Sequence, residues 1–97
     1  MKLVKRLEIV TDSLEVQNVI TALEKHDISG YTIIRDVSGK GERGLRDSEG
    51  LSDVLKNSMI IVAIDDEQVQ GIVDTLRPIL KRFGGICLVS DAKWLVH

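Results

Sequence analysis

Met59-Ile60-Ile61-Val62-Ala63-Ile64 is apolar at every position. A strand with one wet face alternates, so an unbroken run of this length predicts a strand buried on both faces. The residues after it predict a helix. Asp65-Asp66 ends the run and offers a cap, and Val69, Ile72, Val73, Leu76, Ile79, Leu80 and Phe83 keep helical spacing over four turns. Pro78 falls inside that pattern and predicts a kink or a restart, because it removes an N–H and crowds a carbonyl one turn back. Gly84-Gly85 reads first as the helix stop, with Lys81 and Arg82 in the last turn where cations suit the helix dipole. Ile86 to Ser90 predicts a short last strand, and Asp91 to His97 either one helical turn or a short extended tail.

Upstream, Tyr31 to Val37 is rich in β-branched residues and predicts a second strand. Leu3 to Val10 sets Leu3, Lys5, Leu7 and Ile9 against Val4, Arg6, Glu8 and Val10, the period of a half-exposed strand. Asp12 with Glu15 three residues on is a capping-box signal. Val16, Val19, Ile20 and Leu23 then make one apolar helical stripe that ends at Ile28 and Ser29-Gly30. The order is β-α-β-β-α-β, an α+β ferredoxin-like arrangement: an antiparallel sheet with two helices on one face and a long loop after the second strand. Right-handed crossovers are expected to pair the first and third strands in parallel at its centre. Two helices on one face leave the other bare, yet the third strand is apolar on both, so another copy of the chain is expected to cover it.

The 97 residues fit one domain, 1–97, with a modest core. A net charge of −2 argues against bulk nucleic-acid binding, and Tyr31, Phe83 and Trp94 are too few aromatics for a base-stacking platform. The single cysteine, Cys87, lies in an apolar run and reads as a small buried hydrophobe. It cannot form an internal disulfide, which suits a reducing cytoplasm. No leader or membrane-spanning run is visible, so direct membrane insertion is not expected. His26 and His97 are isolated and predict no metal site. Nothing pairs a nucleophile or base with an orienting group, so an enzyme is not expected.

Chemistry concentrates in Ser38-Gly39-Lys40-Gly41-Glu42-Arg43-Gly44-Leu45-Arg46, which opens a loop from Ser38 to Asn57. Three glycines within six residues permit positive φ and close approach of a ligand. Lys40, Arg43 and Arg46 add cations to a backbone able to cradle an anion. The same composition also makes a solvated, flexible hairpin loop. A loop of this length in a small domain tends to carry function.

The strand Gly30-Tyr31-Thr32-Ile33-Ile34 running into Gly39-Lys40-Gly41 and a long loop resembles the PII signal-transduction superfamily. The likeness extends to Met1-Lys2-Leu3-Val4 and to Asp65-Asp66-Glu67-Gln68-Val69 at the second helix. It is nearest the PII-like branch associated with bicarbonate transporters and carboxysomes, in which a Gly-Tyr-Thr strand, a Gly-Lys-Gly-x-Arg loop start and a short Gly-Ile last strand recur without an extended basic tail. The resemblance implies a homotrimer with three sheets meeting in the middle. It also implies an adenine nucleotide (AMP, ADP, ATP or cyclic AMP) as effector in intersubunit clefts, with no cofactor required. The 38–57 segment would then be the T-loop-like part that engages a target protein, a membrane transporter or a metabolic enzyme. Carried over residue by residue, Gly39, Lys40, Gly41 and Arg43 match the nucleotide-responsive loop base. Thr32 matches a strand position near the base, although it is also an ordinary β residue. Arg46 matches where loop length allows, and Gly84 and Gly85 match the loop that wraps phosphates. The true PII proteins carry Gly-x-Gly-Lys there and further arginines near the C-terminus, where this chain has Gly84-Gly85-Ile86-Cys87 and Trp94-Leu95-Val96-His97. A nucleotide with fewer phosphates or another anion therefore stays open. The loop has no tyrosine for uridylylation. Two alternatives share the element order. A CutA-like divalent-cation trimer lacks a soft copper site here, and an ACT-type amino-acid-binding module usually lacks so long a glycine-rich loop.

Overall fold

The computed structural model describes residues 1–41, 44–46 and 56–95. Strand β1 (Lys2–Asp12) leads through a 3₁₀ turn (Ser13–Glu15) into helix α1 (Val16–Lys25). Strand β2 (Thr32–Val37), the short strands β3 (Gly39–Gly41) and β4 (Gly44–Arg46), and strand β5 (Asn57–Ile64) follow. A second 3₁₀ turn (Asp66–Gln68), helix α2 (Val69–Phe83) and strand β6 (Ile86–Trp94) complete the order. The main sheet runs β2-β5-β1-β6, and β3 and β4 form a separate ribbon.

Every neighbouring pair in the main sheet is antiparallel, which corrects the expectation that the first and third strands pair in parallel. The crossover through α1 makes β1 parallel to β2, and the crossover through α2 makes β5 parallel to β6. Interleaving these two units places β5 between β1 and β2 with its direction reversed. The right-handed crossover rule thus applies to strands that share a sheet without touching.

Both helices lie on one sheet face. Leu7 and Ile9 of β1, Ile60, Val62 and Ile64 of β5, Val19 and Leu23 of α1, and Ile72 and Leu76 of α2 form one buried cluster. Three polar contacts tie the layers together. The Thr11 hydroxyl donates to the Gly84 carbonyl at 3.2 Å, Ser13 and Ser58 share a hydrogen bond at 2.8 Å, and His26 Nε2 lies 2.8 Å from Thr75 Oγ1. Thr75 donates its own hydroxyl proton to the Gly71 carbonyl at 2.9 Å, so His26 Nε2 is the donor in the pair. A Cβ at residue 71 would lie 3.2 Å from the His26 ring, so glycine there gives the imidazole its seat on α2.

Asp12 accepts a hydrogen bond from the Leu14 backbone at 3.0 Å, but it caps the 3₁₀ turn, and Glu15 accepts from Asn18 Nδ2 at 2.8 Å. The reach-back expected of Glu15 is found instead at the second helix, where Gln68 Oε1 accepts from the Asp65 backbone at 2.9 Å. Helix α2 continues through Pro78 as one element of 15 residues, so the restart expected there does not occur. Strand β6 reaches Trp94, opposite Lys2, so Asp91 to Trp94 are extended rather than a helical turn.

Candidate functional site

Strand parity divides the sheet into two surfaces. On β5, Ser58, Ile60, Val62 and Ile64 are buried under the helices, and Met59, Ile61 and Ala63 on the other face are only partly covered. That open face continues onto Ile34 of β2, Val4 and Val10 of β1, and Ile86, Leu88 and Trp94 of β6. Ile34, Ile86, Leu88 and Trp94 are 43–54% exposed. In their midst Arg6 Nη1 lies 2.9 Å from Glu8 Oε1.

Thr32 sits on the same open face, opposite Ile61, and is exposed. At the end of β2 the pairing with β5 shifts register between Arg35 and Val37. Asp36 lies in that irregularity with φ 59°, a left-handed conformation in which Asp is among the better tolerated side chains. Its carboxylate is 3.9 Å from Lys56 Nζ, so an ion pair braces the two ends of the 38–57 segment where they leave the sheet.

The glycine-rich stretch is not structureless at its base. Gly39 pairs with Arg46, Lys40 with Leu45 and Gly41 with Gly44 in a short antiparallel ribbon, so the base of the 38–57 loop is paired. Local ladder hydrogen bonds, which a composition-based reading undercounts, explain the difference. Gly39 is extended rather than left-handed, and nothing lies within 4 Å of where its Cβ would stand. Its value is bare, approachable backbone, not positive φ. Arg43 and the rest of the loop, 42 and 47–55, lie outside the described residues.

Positive φ appears at Gly84 (82°) and Gly85 (123°). The Gly84 N–H returns to the Leu80 carbonyl at 2.9 Å and closes α2. A Cβ on residue 85 would stand 2.2 Å from the Val10 carbonyl oxygen, so the chain passes against β1 where no side chain fits. Fold requirements alone account for both glycines.

Among the described residues, the glycine ribbon and Gly84-Gly85 lie toward one end of the sheet but not on one edge, and Thr32, opposite Ile61, stands nearer its middle. Thr32 and the ribbon belong to the β2 edge, and Gly84-Gly85 leads into the β6 edge. Three strand spacings of roughly 4.8 Å each lie between them. Among the described residues, one copy of the chain does not bring the two halves together. A surface cavity of about 360 Å³ opens at the other end, lined by Lys2, Val4, Ala63, Ile64, Asp65, Gln68 and Trp94. Among the described residues, none of the predicted ones lines it. Beside it, Lys2 pairs with Asp65 at 3.0 Å, and Lys5 is bonded to Asp91, which raises the lysine's pKa. Cys87 packs against the core, and burial raises its thiol pKa, which makes it a poor nucleophile. Among the described residues no three His, Cys, Asp or Glu side chains converge as a metal site, and no helix is long and apolar enough to cross a membrane.

Sequence reading missed the Arg6–Glu8 pair as a feature of the bare face, although the period of two already groups both residues with Val4 and Val10. It also missed Asp36, whose role depends on a bulge that no local pattern announces.

The family model for nitrogen regulatory protein P-II matches residues 4–95. No curated protein matches the sequence significantly. Among solved structures, the chain is similar to CPII from Thiomonas intermedia K12, a nitrogen regulatory PII-like protein, bound to ADP, AMP and bicarbonate. The TM-score is 0.85 at 26% identity, over 93% of this chain and 86% of that one. CPII bound to ADP and bicarbonate gives 0.83 at 28% identity over the same shares. A putative PII-like signaling protein from Thermus thermophilus gives 0.74 at 21% identity, over 95% of this chain and 91% of that one, which speaks for the fold alone.

Proposed function

The chain belongs to the nitrogen regulatory protein P-II family, and from that premise we propose that it is a cytoplasmic, non-enzymatic PII-like regulator. Three copies cover one another's open sheet faces, and an adenine nucleotide binds in the seams between them. The observation that carries this reading is the likeness, over 93% of the chain, to a PII-like protein bound to ADP, AMP and bicarbonate. Two features support it. The open face presents half-exposed Ile34, Ile86, Leu88 and Trp94, apolar side chains of the kind that mark an interaction surface when they gather on one face. The two halves of the expected site also lie on opposite sheet edges, and a neighbouring copy is the simplest way to join them.

In this reading Thr32, Gly39, Lys40, Gly41, Arg43 and Arg46 approach the nucleotide from one side of the seam, and Gly84 and Gly85 from the other. The phosphates draw Lys40 and Arg43 inward, and the 38–57 segment changes what it offers a target protein. Bicarbonate, bound beside the nucleotides in CPII, is a second effector to test.

Thermal-shift measurement against AMP, cyclic AMP, ADP, ATP and bicarbonate, followed by calorimetry, tests the proposal. At least one adenine nucleotide raises the melting temperature. Lys40→Ala combined with Arg43→Ala weakens its binding by on the order of tenfold or more, given charge-assisted bonds of roughly 1.5–3 kcal/mol each. Equal affinity of the double variant and the parent overturns the proposed roles of those two residues. Silence toward every nucleotide overturns the function.

A further inference from the structure

We propose that Arg6 and Glu8 exchange ion pairs between copies of this chain on the open sheet face, and that this exchange makes self-association selective. The inference rests on the trimeric reading above and adds to it the charges that choose the partner.

Away from the strand ends, Arg6 and Glu8 are the charged residues that strand parity places on this face among the described residues. Arg6 stands between Ala63 and Ser90, Glu8 between Ile61 and Leu88, with Val4 and Val10 before and after on the same strand. Within one copy they make an Nη1–Oε1 contact of 2.9 Å, and their side chains stay 45% and 26% exposed. Five guanidinium N–H donors and two carboxylate oxygens are poorly satisfied by one such contact. In water this matters little, since solvent supplies the rest. Under a covering protein surface those groups need partners or carry a heavy desolvation cost.

If the cover is the equivalent face of another copy, the charges it brings between its strand ends are again an Arg and a Glu. Arg6 of one copy donating to Glu8 of the next satisfies both, and in a cyclic arrangement the pattern closes without a remainder. An apolar surface of some other protein leaves both groups deficient, which is how buried polar groups reject wrong partners.

Charge reversal tests the exchange by sedimentation and native mass spectrometry. Arg6→Glu and Glu8→Arg each place like charges along the seam, and each raises the concentration at which copies dissociate by on the order of a hundredfold. The double reversal Arg6→Glu/Glu8→Arg restores three-chain assembly by itself. Mixing the double reversal with the parent is the decisive arm and uses two well-assembled proteins. Exchange between copies sets Arg against Arg or Glu against Glu in every mixed seam, so the two chains sort into separate trimers. Free mixing in statistical proportions overturns the proposal and reduces the pair to an intrachain contact. Unchanged assembly of the single reversals overturns it as well. A parent that sediments as a single chain removes the trimeric reading itself, a result distinct from free mixing of stable trimers.

Discussion

The two faces of strand β5 carry almost the same kind of side chain and meet opposite fates. Ile60 and Val62 are sealed beneath the helices, whereas Met59, Ile61 and Ala63, one residue away in each direction, are half-covered. Both sets are hydrophobic, so composition does not distinguish them. The difference lies in what the chain itself can supply. Two amphipathic helices suffice for one face of a four-stranded sheet, and nothing in the described fold remains for the other. The first face makes the fold stable as a chain, and the second is the one the proposed trimer would cover.

Adjacent substitutions separate these roles most sharply. Ile60→Ala opens a cavity among fully buried neighbours and costs about 2–5 kcal/mol of unfolding free energy. Ile61→Ala costs the single chain about 1 kcal/mol or less, the loss of partly covered apolar area, and shows its main effect as weaker association. Denaturant titration at low and high protein concentration reads both. Similar losses at the two positions, independent of concentration, contradict the division of the sheet.

Gly85→Ala comes next. It places a Cβ 2.2 Å from the Val10 carbonyl oxygen at a left-handed φ, and an expected loss on the order of 3 kcal/mol is read from the thermal midpoint. A stability close to the parent's shows that the α2–β6 turn can move away from β1, and the close approach then has no structural force.

The smallest effect concerns Cys87, on the helix side of β6. Burial raises its thiol pKa, so the folded chain keeps the proton after the unfolded chain loses it. The associated stability is complete below the ordinary thiol range and fades as pH rises through the folded value. At about pH 8 the native thiol reacts with an alkylating or disulfide reagent roughly tenfold more slowly than in denaturant. Equal rates place it at the surface.

Much of this division is legible in the residues. The unbroken apolar run from Met59 to Ile64 announces a strand with apolar side chains on both faces, of which this chain covers one fully, and the spacing from Val69 to Phe83 announces a long helix beside it. Local patterns do not carry strand direction. The parallel pairing expected for the first and third strands fails because the crossover rule constrains β1 with β2, and β5 enters between them. Pro78 interrupts the helical pattern in the sequence, yet α2 runs through it as one element whose Ile72 and Leu76 are buried. The ribbon from Gly39 to Arg46 is hidden by glycine content that reads as disorder. The candidate site is less legible than the fold. Its expected residues can be named one by one in the sequence, but those that are described lie along two sheet edges that a single chain keeps apart.

Native mass spectrometry with and without ADP tests the central claim most directly, because it counts chains and nucleotides in the same ion. The expected result is a three-chain species that takes up as many as three nucleotides, with single chains taking up none. A protein found only as single chains, or nucleotide carried on single chains, contradicts it.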